Sequence, residues 1–289
     1  MARSSVVTVR ELVAALDGDF NFASASAWDV NGLGVGDADA EITGVAVALD
    51  PTLAALTEAV ALGANVLLTH HPLLLDPLHS VSPQGSYPAE VAFSAIEAGV
   101  ALVNVHTPLD LAPAALRLTG DRLGLTFDGP LDARQPDSLF GSDTPDAGLR
   151  YGVRWTTELS GVGATVADVH RAAVAAYGPG VRAWGDPRQA VSLVVTGTGS
   201  ITSLIDGSLA AGADLLVGGE VKYHACLEAL DRGMAIIELG HDRSEYPLVP
   251  LLAEAAIRVL TDGGSEATVT VLAPTFGYST DSKEAPRGV

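Results

Sequence analysis

A short apolar run meets two adjacent histidines in the stretch Asn65-Val66-Leu67-Leu68-Thr69-His70-His71-Pro72. The run has the length and composition of a buried strand, and Gly63 before it ends a predicted helix. Pro72 prevents the strand from continuing, because proline has no backbone N–H to donate to a sheet. The stretch therefore predicts α/β structure in which both imidazoles lie at the C-terminal end of a strand.

The residues before this stretch predict the same two kinds of element. Thr8 and Glu11 have the spacing of a capping box, so we expect a helix to begin near Val9. Residues 42–49 predict a second buried strand. Asp50-Pro51-Thr52 then predicts an N-cap followed by proline at the first position of a helix that ends near Gly63.

The residues after it continue the alternation. A helix is predicted over about residues 89–98, and a strand over residues 101–105 leads into His106-Thr107-Pro108-Leu109-Asp110. Further strands are predicted over about residues 150–159 and 191–196. Helices that alternate with strands predict a largely parallel sheet, in which the loops after the strands converge at one edge.

The chain also contains an internal repeat. Residues 62–68 resemble residues 211–217, and residues 95–103 resemble residues 229–237, with each copy running from a helix end through a glycine into an apolar strand. We therefore predict the fold class as α/β, with two related halves, mixed but mostly parallel sheets, and a metal site at strand C-terminal ends between the halves.

The expected boundary lies in a segment without periodicity. Residues 128–148 are rich in Asp, Pro, Gly and Ser and are predicted to be a loop or linker. The N-terminal α/β half would then cover residues 1–127 and the C-terminal half residues 149–289, the two packing as one compact unit.

Composition restricts the class of protein. The 289 residues include 35 acidic and 16 basic side chains, for a net charge of −19, which disfavours binding to nucleic acid or to an anionic membrane. A small anionic substrate would need local positive charge, which a metal pair supplies.

Cys226 is the single cysteine, so an internal disulfide and a thiolate-rich metal site are excluded. With no apolar stretch of membrane-spanning length, we expect a cytoplasmic protein.

Five side chains are candidate metal ligands. His70 and His71 are equally well explained as ligands or as a loop pair, and Asp110 as a ligand or a helix N-cap. His241 and Glu245 would share one helix face at i,i+4, which suits either a metal or a surface ion pair. Three imidazoles with two carboxylates suit two divalent ions of Zn, Fe, Mn, Co or Ni, with Glu245 as the bridge.

Other side chains have open roles. His106 is an acid or base, a substrate contact, a direct ligand or a partner of a ligand, and His224 is an acid, base or substrate contact, or else caps or packs its helix. Residues 197–200, Gly-Thr-Gly-Ser, could bind phosphate or form a tight turn. Trp28 could form a wall of the site or pack against a polar turn.

These residues resemble a known family, the Nif-three-like dinuclear metal centre hexameric proteins, also called GTP cyclohydrolase 1 type 2 homologues. The resemblance covers nearly the whole chain in order. It is carried by Trp28-Asp29 with the following glycine-rich residues, Leu49-Asp50-Pro51-Thr52, Thr69-His70-His71-Pro72, His106-Thr107-Pro108-Leu109-Asp110, Gly219-Glu220-Val221-Lys222-Tyr223-His224 and Gly240-His241 to Glu245.

The resemblance implies a ligand set and an assembly. The family's ligands for two metals fall on His70, His71, Asp110, His241 and Glu245, and its members form a toroidal homohexamer. Three departures lie beside ligands: Val30-Asn31 is transposed, Pro108 replaces an asparagine, and Glu220 replaces an aspartate. They bear on the substrate more than on metal binding.

The leading functional hypothesis is a metal-dependent hydrolase acting on a nucleotide-like substrate. Taken literally, the family's name implies hydrolytic opening of the imidazole ring of GTP with release of formate. Two alternatives stay open, namely a non-catalytic metal-binding or regulatory scaffold protein and a two-metal phosphoesterase.

Overall fold

The computed structural model of the protein describes residues 6–131, 151–157 and 163–274. The helices are α1 (Val9–Phe20), α2 (Leu53–Ala61), α3 (Tyr87–Ala98), α4 (Thr107–Asp110), α5 (Pro113–Arg122), α6 (Val166–Tyr177), α7 (Ile205–Ala210), α8 (Tyr223–Asp231), α9 (His241–Glu245) and α10 (Val249–Asp262). The strands are β1 (Gly32–Val35), β2 (Gly44–Ala48), β3 (Val66–Thr69), β4 (Ala101–Asn104), β5 (Thr126–Pro130), β6 (Val153–Thr156), β7 (Ala164–Thr165), β8 (Arg182–Trp184), β9 (Ala190–Val191), β10 (Leu193–Thr196), β11 (Leu215–Gly218), β12 (Ala235–Glu238) and β13 (Thr268–Val271).

The first compact unit consists of residues 6–109 and 248–274. Its sheet has the order β1-β4-β3-β2-β13, and every pairing is parallel except that of β1 with β4. Strands β2, β3 and β4 are buried along their whole length, as expected for parallel strands with both faces covered. Helices α2 and α3 pack on one side of the sheet, where Leu67 and Leu102 belong to their core cluster, and α10 also contacts β2, β3 and β13.

The second compact unit consists of the described residues from 110 to 247. Its six-stranded sheet has the order β5-β6-β10-β11-β12-β8, with parallel pairs β10-β11 and β11-β12 and three antiparallel pairs. The fully buried Trp155 anchors one core, and its indole N–H donates to Thr196 Oγ1 at 2.8 Å. Gly120 lies against that indole so closely that any Cβ would overlap the ring.

The predicted α/β class with mixed sheets is confirmed, with one difference in the sheets. The five-stranded and six-stranded sheets are mixed and helices pack against both, while β7 and β9 form a separate antiparallel pair. The repeat is present as topology, since β3-α3-β4 in the first unit corresponds to β11-α8-β12 in the second, each with a parallel strand pair. "Mostly parallel" describes the first sheet, whereas the second has more antiparallel pairings because β5, β6 and β8 join at its edges.

The units divide at a different place from the predicted halves. The division follows Leu109 instead of falling in residues 128–148, and residues 248–274 return to the first unit because β13 pairs with β2. Residues 128–130 belong to β5, and 132–150, most of the predicted linker, lie outside the described residues. A strand's own sequence does not specify which sheet it joins. The hydrophobic pattern of the chain therefore could not locate the boundary between the two units.

The N-cap predicted at Asp50 is wrong. Helix α2 begins at Leu53, and its cap is Thr52, whose hydroxyl accepts a hydrogen bond from Ala55 N at 3.1 Å. The predicted capping box of α1 is present at Thr8 and Glu11. Among the described residues, every helix falls short of the length and apolar character that crossing a bilayer requires.

Candidate metal centre

Three histidines of the first unit meet where β3 and β4 end. His70 and His71 follow β3 directly, and His106 follows the parallel neighbour β4 by two residues. The ring centroids lie 5.0 to 5.5 Å apart, and each ring offers a nitrogen within 4.8 Å of the others. The convergence predicted for loops after parallel strands therefore brings these three imidazoles together.

The buried imidazole of His70 has a defined tautomer. Its Nδ1 lies 3.0 Å from the carbonyl oxygen of Val105. A carbonyl oxygen can only accept, so Nδ1 carries the proton and Nε2 carries the lone pair. This is the arrangement of a histidine that binds a metal through Nε2.

His71 is oriented by the carboxylate of Asp50. The distance from His71 Nδ1 to Asp50 Oδ1 is 2.7 Å, which again makes Nε2 the lone-pair nitrogen. Asp50 thus holds a histidine instead of capping α2. A carboxylate behind an imidazole is a frequent partner of metal-binding histidines, and it raises their basicity.

His106 is held by the buried carboxylate of Asp29. His106 Nδ1 lies 2.7 Å from Asp29 Oδ1, while Thr107 N and Asn31 Nδ2 donate to Asp29 Oδ2, each at 3.0 Å. Burial raises the pKa of Asp29, but the hydrogen bonds from His106, Thr107 and Asn31 and the charge of His106 outweigh it and lower the pKa from 3.8 to about 2. Asp29 is therefore ionised near neutral pH. Trp28 packs edge-on against the His106 ring at 5.7 Å, with most of its own side chain exposed.

In the second unit, His241 and Glu245 lie on one face of α9. The helix begins at His241, so the four-residue spacing brings His241 Nε2 to 3.1 Å from Glu245 Oε2. Glu220 Oε1 lies 3.1 Å from His241 Nδ1 and acts on it as Asp50 acts on His71. Glu245 is buried, with 5% of its surface exposed.

Asp110 lies at the end of α4 in the same unit as Glu245. Thr198 Oγ1 donates to Asp110 Oδ1 at 2.9 Å, and the N-cap of the next helix, α5, is Ala112. Oxygens of Asp110 and Glu245 lie within 4.8 Å of each other. Two carboxylates this close repel one another when both are ionised, and a divalent cation would relieve that repulsion.

The Gly-Thr-Gly-Ser loop at residues 197–200 supports Glu245. Gly199 has a left-handed φ of 56°, and a Cβ there would overlap Glu245 Oε1. Its N–H donates to Ser244 Oγ at 2.9 Å, so this donor is already used within the protein. Of the two predicted roles, the structure supports the tight turn over phosphate binding.

His224 is placed differently from the other histidines. It is the second residue of α8, with an exposed side chain whose ring packs against Tyr223 at 5.3 Å. It belongs to none of the clusters of possible metal ligands found among the described residues. Its predicted role as acid, base or substrate contact stays a prediction.

The side-chain donors fit divalent metal ions. His70, His71 and His106 each have Nδ1 against an oxygen acceptor, which leaves Nε2 to bind a metal, and His241 Nε2 lies beside the carboxylate of Glu245. Nitrogen and carboxylate oxygen together suit Zn, Fe, Mn, Co or Ni. The orienting role of three carboxylates, Asp29, Asp50 and Glu220, was missed by the sequence analysis, because no local pattern links an aspartate to a distant histidine.

Comparisons with known proteins give a matching family model and several relatives. Residues 7–273 match the model of a family described as Duf34/NIF3 (NGG1p interacting factor 3). A "GTP cyclohydrolase 1 type 2 homolog" from Streptomyces coelicolor is 32% identical over 240 residues, which cover 82% of this chain and 81% of that relative. A protein of the same description from Clostridium perfringens is 28% identical over 229 residues, 78% of this chain and 82% of its own.

Solved structures share the fold. The crystal structure of Staphylococcus aureus protein SA1388 superposes with a TM-score of 0.76 at 22% identity, over 96% of this chain and 98% of that one. At this identity the likeness shows the fold alone. It agrees with the α/β architecture and mixed sheets described above.

Proposed function

Because this chain belongs to the Duf34/NIF3 family, we propose that it binds two divalent metal ions and hydrolyses a small nucleotide-like substrate. One observation carries the proposal: His70 and His71 each have Nδ1 held by an oxygen acceptor, so that Nε2 is the nitrogen that can bind a metal. Metal-binding histidines commonly have the other ring nitrogen held in this way, so the arrangement supports metal binding through Nε2.

The proposed ligands are the five side chains that the family resemblance implies, namely His70, His71, Asp110, His241 and Glu245. Glu245 is the choice for a bridging carboxylate, since it is buried and within 4.8 Å of both Asp110 and His241. When bound, two divalent cations would lower the pKa of water and stabilise negative charge that develops in the substrate.

His106 is proposed as the residue that moves a proton. Its Nδ1 is fixed by Asp29, so its Nε2 is the atom that accepts or donates. Ionised Asp29 would also stabilise the imidazolium formed when Nε2 takes a proton. His224 is a second candidate for a substrate contact, because its exposed ring at the start of α8 is open to solvent.

The relatives' description supports a nucleotide as substrate. Two relatives carry the description "GTP cyclohydrolase 1 type 2 homolog", so GTP is the first substrate to assay. The net charge of −19 favours a small anion only where metal supplies positive charge. The proposed assembly is a homohexamer in the cytoplasm, which sedimentation would test as a mass about six times that of the 29.5 kDa chain.

Elemental analysis combined with a nucleotide assay tests the proposal. The wild type, His70→Ala, Glu245→Gln and the exposed control His79→Ala are purified, reconstituted with Zn, Fe, Mn, Co or Ni, and analysed for metal. We expect about two metal ions per chain in the wild type and in His79→Ala, and fewer in the ligand variants. GTP and a panel of other nucleotides are then assayed with metal-loaded and metal-free protein.

The outcomes separate the alternatives. Metal-dependent turnover that disappears in Glu245→Gln supports a hydrolase, and release of inorganic phosphate alone would identify a phosphoesterase. Full metal content without turnover would contradict the hydrolase and leave a regulatory metal-binding scaffold. His106→Ala should keep its metal and lose turnover, whereas loss of metal in this variant would make His106 a ligand.

A further inference from the structure

A cavity of about 290 Å³ opens inside the first unit beside the histidine cluster. Thr69 and Pro72, the chain neighbours of His70 and His71, both line it. Asn31 lines it as well, and its Oδ1 accepts a hydrogen bond from His106 N at 2.7 Å. The cavity is therefore adjacent to the segments that carry all three histidines, and it has the volume of a small ligand subsite.

The cavity is lined entirely by neutral residues. Most are leucine, valine or proline, so a phosphate or carboxylate placed there would lose its hydration without a cationic partner. The buried amide of Asn104 uses its nitrogen to donate to Val30 O at 2.7 Å. An amide has two N–H donors and an acceptor oxygen, so this one bond leaves Asn104 able to donate to or accept from an uncharged ligand.

Gly34 forms part of one wall of the cavity. Gly34 lies in β1 at a register shift, outside the left-handed region of backbone conformation. A Cβ built at Gly34 would meet Leu102 O at 3.8 Å, an ordinary contact. Neither the backbone nor local packing requires glycine here, so a larger side chain can be introduced at this lining position.

We propose that this cavity binds the neutral heteroaromatic ring of the substrate, a nucleobase-like ring that forms a hydrogen bond with the Asn104 amide, and that charged groups of the substrate stay outside it. The inference rests on the proposed function, since it assigns the recognition of the ring to the first unit and leaves the reacting group to the metal centre.

The test uses guanosine as the probe and the full chain with and without divalent metal. Binding is followed by saturation-transfer NMR to the wild type, to Gly34→Leu, which fills the cavity, and to Gly18→Leu. Gly18 is the matched control, because it is exposed on α1 with open space around its Cβ position. We expect guanosine to bind Gly34→Leu about tenfold or more weakly, Gly18→Leu to match the wild type, and inorganic phosphate not to compete.

A second filling variant, Leu74→Trp, covers the case in which Gly34→Leu fails to fold. The inference is overturned if guanosine does not bind the wild type, if both filling variants bind it normally, or if phosphate displaces it. If guanosine binding depends on the cavity but no nucleotide is turned over, the hydrolase proposal is contradicted and the cavity inference stands. If the nucleotide is turned over and its KM is the same in a filling variant as in the wild type, the cavity inference is contradicted and the hydrolase proposal stands.

Discussion

At the scale of single residues, the negative charge of the buried Asp29 carboxylate stabilises the folded protein. Its side chain is fully buried, and it receives hydrogen bonds from His106, Thr107 and Asn31. Because its pKa in the folded state is lowered from 3.8 to about 2, the ionised form stabilises the fold above the unfolded pKa, and this contribution is lost as the pH falls from about 4 to about 2.

Replacing Asp29 by asparagine should therefore destabilise the protein at neutral pH by about 2 kcal/mol. Urea unfolding at pH 7 and at pH 3 measures the effect, and the difference between variant and wild type should shrink at the lower pH. Asp39→Asn is the control, since Asp39 pairs with Arg10 on an exposed surface where an ion pair contributes little. Equal losses in both variants would refute the assignment.

Gly199 gives a second residue-scale prediction. Gly199→Ala should lower the free energy of unfolding by more than the roughly 1 kcal/mol that backbone strain alone accounts for, because the new Cβ also displaces the carboxylate of Glu245. Metal content and the midpoint of thermal unfolding should both fall.

Gly99→Ala is the matched control for this prediction. Gly99 has a similar left-handed φ of 65° and open space at its Cβ position, so it carries the strain without the clash. A normal metal content in Gly199→Ala would contradict the role of this loop in supporting Glu245.

At the scale of elements, buried Glu238 joins two strands and a loop. It lies at the end of β12, accepts from Trp184 Nε1 at 2.6 Å and from Val221 N at 3.0 Å, and pairs with Arg182 of β8 at 3.1 Å. Val221 follows Glu220, so the contact with Val221 also holds the loop that orients His241.

Glu238→Leu should lower the free energy of unfolding by about 1–3 kcal/mol, since it leaves the buried N–H of Val221 and the indole N–H of Trp184 without their acceptor. Denaturant unfolding measures the loss. Glu228→Leu is the control on α8, where the exposed Glu228 pairs with Arg232 at 3.2 Å. If both variants unfold at the same denaturant concentration as the wild type, Glu238 does not hold the loop.

At the scale of the whole molecule, metal binding should appear as added stability. A ligand that binds the folded chain at 100 times its Kd stabilises it by about 2.7 kcal/mol. Chelation should therefore lower the unfolding midpoint of the wild type and of His79→Ala, whereas His71→Ala should start low and change little. An unchanged wild-type midpoint after complete metal removal would argue against a structural contribution from the metal.

The sequence by itself determined the local elements and the identity of the candidate ligands. The capping box at Thr8, the buried strand that ends just before His70, and the helix spacing of His241 and Glu245 were all predicted. These features depend on contacts within a few residues, so the chain encodes them locally.

Tertiary structure alone decided the partners. Asp29 and His106 lie 77 positions apart, Asp50 holds His71 instead of capping α2, and β13 joins the first sheet beside β2. Each of these pairings depends on which strands and loops pack together. The residues next to a side chain in sequence do not determine that packing, so they do not predict its distant partner.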